Sequence, residues 1–392
     1  MIRHIFRLIW NRKRRNMLLI GEILLSFIVL FAVASMAVSS FHKYIQPLGF
    51  GYENVWVLYP NARSLGTEIS TEDARRTLQQ VHQVLLDYPE VRQVAWSEFN
   101  FPYARGQWIT EVGPDIETHL WPVDDAYAEV MNISVVEGRW FSKEDDASTH
   151  TPAVIDRDLR RELFGDTAAL GKIISDEESE WVVVGVIEDY RYLGDFTNPM
   201  CGMFVREPLA TTEDPMRIGL MSISDEANMQ FQKELITQVG NLTGGWPIRI
   251  EPLKDMRKKY VDGHLSDLIL PVVIAMFLVL NVALGLFGVL WYSISRRRGE
   301  IGLRRALGAD PGLISRQILL ESVTIASLAL AVGLFFAIQA PILDLGGGIT
   351  PFEYIIAIVL SAVAIYALVS LCAWYPGRLA ARVQPATALH ED

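Results

Sequence analysis

The most distinctive residue types and spacings lie in residues 296–310, which read RRRGEIGLRRALGAD between two long apolar stretches. The five arginines of this segment are Arg296, Arg297, Arg298, Arg304 and Arg305. They must lie outside the hydrocarbon, because a charge at the centre of a bilayer costs at least ~3 kcal/mol. Apolar and small residues alternate with the charges, as on a short interfacial helix. The pattern indicates either a surface that a cytoplasmic partner binds or a simple cluster of topology-setting charge.

Motifs for catalysis are absent from the sequence. No G-x-x-x-x-G-K-[ST] phosphate-binding loop occurs, since Gly171 and Lys172 are followed by isoleucine. No H-E-x-x-H or G-x-S-x-G motif occurs, and the seven histidines are scattered without the spacing of metal ligands. We therefore expect no catalytic residue, metal or cofactor on this chain, and no ATP hydrolysis by the chain alone.

Composition places the chain between membrane and soluble proteins. Its 392 residues are 51% hydrophobic, with a mean hydropathy of +0.22. This is too apolar for an ordinary soluble chain and too charged for one that lies wholly in a membrane. Cys201 falls in a soluble stretch and Cys372 in an apolar one, so no disulfide framework is expected. A membrane region plus a soluble domain is therefore predicted.

Four apolar stretches are long enough to span about 30 Å of hydrocarbon, which takes roughly 20 helical residues. They are residues 17–40, 268–294, 313–338 and 352–374. A cleaved signal peptide is the alternative for the first stretch. Its apolar run, however, is longer than the roughly 7–15 residues typical of such a peptide.

Basic residues determine the predicted orientation. Residues 1–16 carry six basic and no acidic side chains, and the turn at residues 344–350 carries no basic residue. Both termini and the 295–312 loop are therefore expected in the cytoplasm. The basic residues 257–259 disagree, but long translocated domains are exempt from this rule.

Residues 41–265 are thereby placed outside the membrane. They hold 37 acidic and 21 basic residues, a net charge of −16, whereas the rest of the chain has a net charge of +5. Because the basic residues are concentrated at the inner membrane face, the chain is not expected to bind nucleic acid. The acidic exterior indicates solubility, with cationic cargo as the alternative.

The periodicity of the external region predicts an α+β domain. Leu78, Val81 and Leu85 lie at helical spacing within residues 72–87, with Ser70 or Thr71 as the N-cap. Further helices are predicted at 156–164 and 230–239, and strands at 153–155, 181–187, 218–223 and 248–250. Aromatic residues are dense between residues 96 and 140. They indicate core packing, or alternatively a groove for cargo or a partner.

The arginine-rich segment also resembles a known family. R-x-R-x-E-I-G-x-R-R-A-L-G-A is the pattern of the cytoplasmic loop in MacB/FtsX-type permeases of ABC transporters. The matching residues are Glu300, Ile301, Gly302, Arg304, Arg305, Ala306, Leu307, Gly308 and Ala309. The resemblance implies that the first eight of these form the site that couples to an ATPase subunit.

Two further segments resemble the same family. The succession VVEGRWFSKED, AVIDRDLRRELFG, LGKII and WVVVGVIEDY is similar to the periplasmic core domain of MacB-like permeases. Its matching residues, to which we assign scaffold roles, are Gly138, Arg139, Phe141, Asp145, Leu163, Phe164, Gly165, Gly171, Lys172, Val183, Val184, Gly185, Val186 and Asp189. The tail resembles the ending Y-P-A-R-x-A-A-x-x-x-P-x-x-A-L, with Gly377 where the family usually has alanine.

The predicted fold is an α-helical membrane domain of four transmembrane helices plus a large α+β extracytoplasmic domain inserted between helices 1 and 2. Its parts are a cytoplasmic amphipathic helix (1–16), the first span (17–40), a MacB-like core domain (41–265), the second span (268–294), a cytoplasmic coupling loop or helix (295–312), the third and fourth spans (313–338 and 352–374) and a cytoplasmic tail (375–392). The expected location is the bacterial cytoplasmic (inner) membrane.

The resemblance implies a permease subunit that works by mechanotransmission. ATP and Mg would be bound by two copies of a separate ABC ATPase subunit, and the permease would pair with a second copy or a related permease. The resemblance leaves a periplasmic adaptor open. The sequence also leaves three alternatives: a non-transport regulator of an extracytoplasmic enzyme, a sensor of antimicrobial peptides, and a lipoprotein-releasing permease. It identifies no substrate.

Overall fold

The computed structural model describes residues 13–61, 70–104, 106–113, 115–212, 217–296, 299, 303, 307, 310–343 and 345–381. The predicted amphipathic segment before residue 13 and the tail beyond residue 381 lie outside this range. The chain divides into two compact units. The outer unit is Lys43–His264, and the helical unit comprises Met1–His42 and Leu265–Asp392.

Helices and strands alternate in the outer unit and give way to long helices after it. In chain order they are α1 (Lys13–Tyr44), β1 (Val55–Pro60), α2 (Thr71–Leu86), β2 (Val91–Ser97), β3 (Ile109–Val112), β4 (Ile116–Val123), α3 (Tyr127–Val130), β5 (Val135–Gly138), β6 (Thr151–Asp156), α4 (Arg157–Phe164), β7 (Ile173–Ser175), β8 (Glu180–Ile187), β9 (Gly202–Arg206), β10 (Ile218–Ile223), α5 (Met229–Leu242), β11 (Ile248–Pro252), α6 (Leu253–Arg296), α7 (Pro311–Ala337), α8 (Gln339–Ile342) and α9 (Pro351–Ala381). A short 3-10 helix covers Lys143–Ala147.

Four helical stretches are long and apolar enough to cross a membrane, which confirms the predicted class of the helical unit. They are Met17–Tyr44, Leu253–Arg296, Gly312–Ile342 and Pro351–Arg378. The second begins well before the predicted span, because α6 continues without a break from charged residues into apolar ones. Small residues allow close packing between helices, and the ring of Phe27 lies where a Cβ on Gly333 would stand.

The predicted elements of the outer unit are present. Ser70 caps α2 by accepting a hydrogen bond from the backbone N–H of Asp73, and Asp156 caps α4 through the N–H of Leu159 at 2.7 Å. Gly165 ends α4 with a φ of 55°, a conformation that favours glycine. The strands form one mixed sheet in the order β11–β1–β10–β2–β4–β9–β6–β8–β5, with β3 beside β4 and β7 beside β8.

This sheet consists of two half-sheets, and each carries its own helices. The first lobe comprises β11, β1, β10 and β2 with α2 and α5, whose apolar faces enclose Leu58, Trp96 and Met221. The second lobe comprises the remaining strands with α4, around Ile155 and Met203. A third apolar cluster is shared by strands of both lobes.

The dense aromatic residues mainly build this shared cluster. Phe101, Trp121 and Tyr127 are buried, whereas Phe99 and Trp108 are exposed. Gly202 is essential to the packing, since a Cβ there would collide with the indole of Trp121. Core packing therefore accounts for most of the aromatic residues, as the first interpretation of the sequence held.

Candidate functional site

The predicted coupling segment lies almost wholly outside the described residues. Of its eight residues, the structure describes Leu307, which is 80% exposed and donates its N–H to the carbonyl oxygen of Leu303 at 3.0 Å. Glu300, Ile301, Gly302, Arg304, Arg305, Ala306 and Gly308 are not described. The coupling role of this segment stays a prediction.

Aromatic residues accompany the arginines at two helix ends. The guanidinium of Arg296 lies 5.0 Å from the ring centroid of Tyr292 at the end of α6. That of Arg378 lies 4.3 Å from the ring of Trp374 in α9. Cationic and amphipathic aromatic side chains one helical turn apart are typical of a membrane–water interface.

Polar side chains also make contacts within the helical unit. Glu22 of α1 faces Gly285 of α6, and its carboxylate lies 2.7 Å from where a Cβ of residue 285 would stand. His42 Nδ1 and Glu353 Oε1 are 2.7 Å apart and join the end of α1 to the start of α9. These contacts pack helices together, and their geometry indicates no catalytic arrangement.

The most elaborate polar site is the base cluster of the outer unit. We use this name for Arg191, Asp195 and Arg257 with the aromatic residues Tyr44, Tyr52, Tyr103, Phe196, Tyr260 and His264. The cluster joins four segments: the end of α1 with the chain that follows it, the loop that follows β2, the loop that follows β8, and the first turns of α6. The chain enters the outer unit through the first of these segments and leaves it through the last.

Arg191 binds the entering segment through backbone atoms. Its Nη1 donates to the carbonyl oxygens of Lys43 at 2.9 Å and Gln46 at 3.2 Å. Its Nε and Nη2 donate to the carbonyl oxygen of Thr197 at 3.1 and 2.9 Å. Arg191 is 2% exposed, and although burial lowers its pKa, a guanidinium stays protonated in proteins. The side chain therefore holds residues 43–46 against the 191–197 loop.

Asp195 binds the leaving segment. Its carboxylate is 1% exposed and accepts from Arg257 Nε at 2.9 Å and from the hydroxyl of Tyr103 at 2.9 Å. Arg257 Nη1 also donates to the Tyr52 hydroxyl at 2.9 Å. Burial, followed by the charge of Asp195, raises the pKa of Tyr103, so this phenol remains a donor. The ion pair ties α6 to the same loop that Arg191 ties to residues 43–46.

Aromatic stacking closes the cluster. The ring of Phe196 lies 3.7 Å from that of His264 and 6.0 Å from that of Tyr260, centroid to centroid. It also stacks on Tyr44 at 5.9 Å. Gly194 has a φ of 109°, and a Cβ there would press on Tyr260 and Tyr103. The loop is therefore packed against both connecting segments.

Sequence reasoning did not find the base cluster, although two signals were present. The basic residues 257–259 contradicted the charge rule, and Arg257 now has a structural reason to be there. Residues 190–196 read YRYLGDF, in which an arginine and an aspartate alternate with aromatic residues. Neither signal reveals the partner, because the two groups of residues are far apart in the chain.

Two of the residues with assigned scaffold roles, Arg139 and Gly185, make close contacts within the outer unit. Arg139 donates from Nη1 to Asp145 at 2.8 Å and from Nη2 at 2.5 Å, and this lowers the pKa of Asp145. A Cβ on Gly185 would collide with the backbone oxygen of Arg139, as expected for close approach in a strand. Among the described residues, no group makes a hydrogen bond to the buried Oδ1 of Asp189.

Four apolar helices with a large α+β domain inserted after the first define a multi-pass membrane protein with a periplasmic-type domain. The profile of the MacB-like periplasmic core domain matches residues 17–238, and that of the FtsX-like permease C-terminal region matches residues 272–385. The chain therefore belongs to the MacB/FtsX-like family of ABC transporter permeases.

Several proteins are similar to this chain in sequence. The ABC transporter permease YvrN of Bacillus subtilis is 25% identical over 353 residues, which cover 84% of each chain. The macrolide export ATP-binding/permease protein MacB of Neisseria meningitidis is 26% identical, over 73% of this chain and 46% of the relative. The pyoverdine export ATP-binding/permease protein PvdT of Pseudomonas syringae is 26% identical, over 100% and 59%. The chain thus spans about half the length of the two ATP-binding/permease relatives.

Two solved structures are similar to part of this chain. The periplasmic region of MacB from Actinobacillus actinomycetemcomitans is 16% identical with a TM-score of 0.38, and the alignment covers 56% of this chain and 97% of that one. The extracellular domain of the transporter YknZ is 18% identical with a TM-score of 0.36, over 50% and 100%.

Proposed function

We propose that the chain is a permease subunit that transmits movement driven by ATP hydrolysis on a separate ABC ATPase subunit to its outer domain. Export or extraction of a substrate would follow from that movement, with ATP and Mg bound by the partner. Two ATPase copies and a second permease, identical or related, would complete the assembly. The macrolide and pyoverdine named for two relatives differ chemically, so the proposal names no cargo.

One observation carries this proposal. The 191–197 loop binds the segment after α1 through Arg191 and the start of α6 through Asp195. A displacement of either helix end would therefore pull on one loop, and this loop continues directly from β8 in the second lobe. These buried polar contacts stabilise the outer unit, and in the proposal they also carry movement from the helix ends to this loop.

The helical unit contributes the step of the proposed mechanism that begins at the ATPase in the cytoplasm. In the proposal, the ATPase binds the segment around Glu300 and Arg304, between α6 and α7. α6 is one continuous helix from Leu253 to Arg296, so the base cluster and the coupling segment are attached to opposite ends of the same element.

The coupling site is tested by a mild-detergent pull-down of the tagged chain with an assay of ATPase activity. We expect a nucleotide-binding subunit to accompany the unaltered chain, and Glu300→Ala with Arg304→Ala to release or uncouple it. Arg92→Ala, at an exposed position of β2, is the matched control and should behave as the unaltered chain. If no ATPase associates with the unaltered chain, the proposal fails.

Transmission is tested separately in the reconstituted assembly. Spin labels on the outer domains of two copies should report a distance that changes between ATP-bound and nucleotide-free states. Arg191→Ala should reduce this change while ATP hydrolysis continues. If the distance between the outer domains of the unaltered assembly is the same in both nucleotide states, mechanotransmission is contradicted. A sensor or an enzyme regulator is then the favoured function.

A further inference from the structure

The two lobes of the outer unit meet along a narrow seam. Within the part of the sheet that the structure describes, a single pair of residues, Ser97 of β2 and Val123 of β4, joins one half-sheet to the other. Neighbouring strands elsewhere pair at three or more positions, as β1 and β10 do at four. Since ladder bonds make adjacent strands move as one body, the seam has the shortest strand ladder in the described sheet and the fewest bonds of this kind to break.

A carboxylate replaces the missing ladder bond at this seam. Asp124 follows β4, and its Oδ2 accepts from the backbone N–H of Trp96 in β2 at 2.8 Å. Its own N–H donates to the carbonyl oxygen of Trp96 at 3.1 Å. Its Oδ1 accepts from the N–H of Ala126 at 3.1 Å. The lobes are thus joined through a titratable side chain where a backbone carbonyl would normally accept.

Packing on the two faces of the sheet favours a hinge here. On one face a shared apolar cluster brings together Val57 and Leu220 of the first lobe with Trp121 and Phe204 of the second. The remaining apolar residues of the lobes form two separate clusters. A rotation that pivots on the shared cluster would leave the separate cluster of each lobe intact.

The charged groups around Asp124 are few and already engaged. Asp125 is its chain neighbour and pairs with Arg206 at 2.6 Å. Arg217, ahead of β10, is 1% exposed and pairs with Glu207, with Glu98 at 4.0 Å. From α3, Tyr127 contributes a phenol that bonds to the hydroxyl of Tyr190. Arg217 is thus shared with other carboxylates, and Asp124 has no dedicated counter-ion among the described residues.

Burial dominates the titration of this group. It raises the pKa of Asp124 to about 7, against the opposing effect of the two backbone donors, while Asp125 raises the pKa further and Arg217 lowers it. A carboxyl that opens into water would regain an ordinary pKa near ~4. Ionisation therefore costs more with the seam closed than with it open.

We propose that the seam is a proton-sensitive hinge: protonated Asp124 keeps the lobes closed, and ionised Asp124 favours an opened seam in which water reaches the carboxylate. The sign follows from linkage. The closed form binds the proton more tightly, so acidification closes the seam. The equilibrium constant for opening the seam increases by up to ~10-fold per pH unit between about 4 and 7, and it levels off above 7. This inference is independent of the proposed transport role.

The test uses the full chain in lipid nanodiscs, with Cys201 and Cys372 changed to serine. Spin labels are attached at Gln83→Cys on α2 and Glu162→Cys on α4, which are exposed positions on different lobes. The inter-lobe distance distribution is measured from pH 5 to pH 8. We expect the longer-distance population to rise with pH up to about 7, and Asp124→Asn to abolish the dependence. Glu234→Gln, at an exposed position of α5, is the control and should keep the native response.

Hydrogen–deuterium exchange on the unaltered chain provides a second readout that needs no variant at the seam. After correction for the intrinsic pH dependence of exchange, the amides of Trp96 and Ala126 should be better protected at pH 5 than at pH 7. A distance distribution that is constant from pH 5 to pH 8, or an unchanged response in Asp124→Asn, overturns the hinge. Equal corrected protection at both pH values overturns it as well.

Discussion

Asp195 accepts a hydrogen bond from Arg257 Nε at 2.9 Å while its carboxylate is almost fully buried. This pair joins the first turns of α6 to the loop after β8, and Tyr103 donates to the same carboxylate. Burying two charges is unfavourable unless the pair is well bonded, and here further donors satisfy both partners. The pair is therefore expected to be sensitive to the loss of either member.

Asp195→Ala should destabilise the outer unit by about 3–5 kcal/mol, because it leaves Arg257 without its carboxylate. Asp195→Asn should cost less, since an amide oxygen still accepts one bond. Tryptophan-monitored thermal unfolding of the full chain measures both effects. Asp255→Asn, at an exposed position of the same helix, is the control, and equal unfolding temperatures for Asp195→Ala and this control would contradict the prediction.

Arg191→Lys should destabilise the outer unit nearly as much as Arg191→Ala. A lysine ammonium cannot span the carbonyl oxygens of Lys43, Gln46 and Thr197 as the planar guanidinium does. Each buried carbonyl that loses its donor costs roughly 1–3 kcal/mol. Chemical unfolding of the two variants beside Arg92→Ala measures the loss. Full rescue by lysine would show that charge alone is needed.

The Arg139–Asp145 pair predicts a pH dependence of stability. Hydrogen bonds from Arg139 lower the pKa of Asp145, so the pair's contribution is present above the ordinary carboxyl range near ~4 and is lost as the pH falls through the lowered value. Arg139→Ala should remove about 1–2 kcal/mol at neutral pH, after discounting for the half-exposed arginine. The difference in unfolding free energy between the variant and the unaltered chain should be largest at pH 7 and should shrink as the pH is lowered below about 4. A difference that does not shrink in acid would indicate lost packing instead.

Gly185→Ala should destabilise the second lobe. The added Cβ would collide with the backbone oxygen of Arg139, which cannot rotate away. Overpacking of this kind costs about 1–3 kcal/mol. Gly263→Ala is the matched substitution, because nothing lies within 4 Å of its Cβ and alanine favours a helix by about 1 kcal/mol. Opposite signs for the two variants in thermal unfolding are expected.

Local patterns in the sequence predicted the fold class and some of the elements: three helices of the outer unit and, of the eleven strands that the structure describes, β6, β8, β10 and β11. The spacing of Leu78, Val81 and Leu85 predicted α2, and all three residues are buried. The length of the apolar stretches predicted four membrane helices. Each of these inferences depends on residues within one turn or one strand, where the periodicity directly reflects burial.

Contacts between residues that are far apart in the chain could not be predicted from the sequence. Nothing near Arg191 in the sequence indicates that Lys43 and Gln46 are its acceptors, because every residue type has a backbone carbonyl. Asp124 reads as an ordinary turn residue in WPVDDAY, and only the pairing of β2 with β4 reveals its place at the seam. The sequence signal for coupling, by contrast, lies on residues whose contacts the structure does not describe.

The base cluster also has a consequence for how this chain tolerates change. Arg191 contacts residues 43–46 through main-chain oxygens, so the attachment does not depend on which side chains those residues carry. A change of side chain at Gln46 that keeps the backbone path should leave these hydrogen bonds in place, whereas Arg191 itself has no equivalent substitute. A single arginine therefore holds the entry to the outer unit through the path of the backbone.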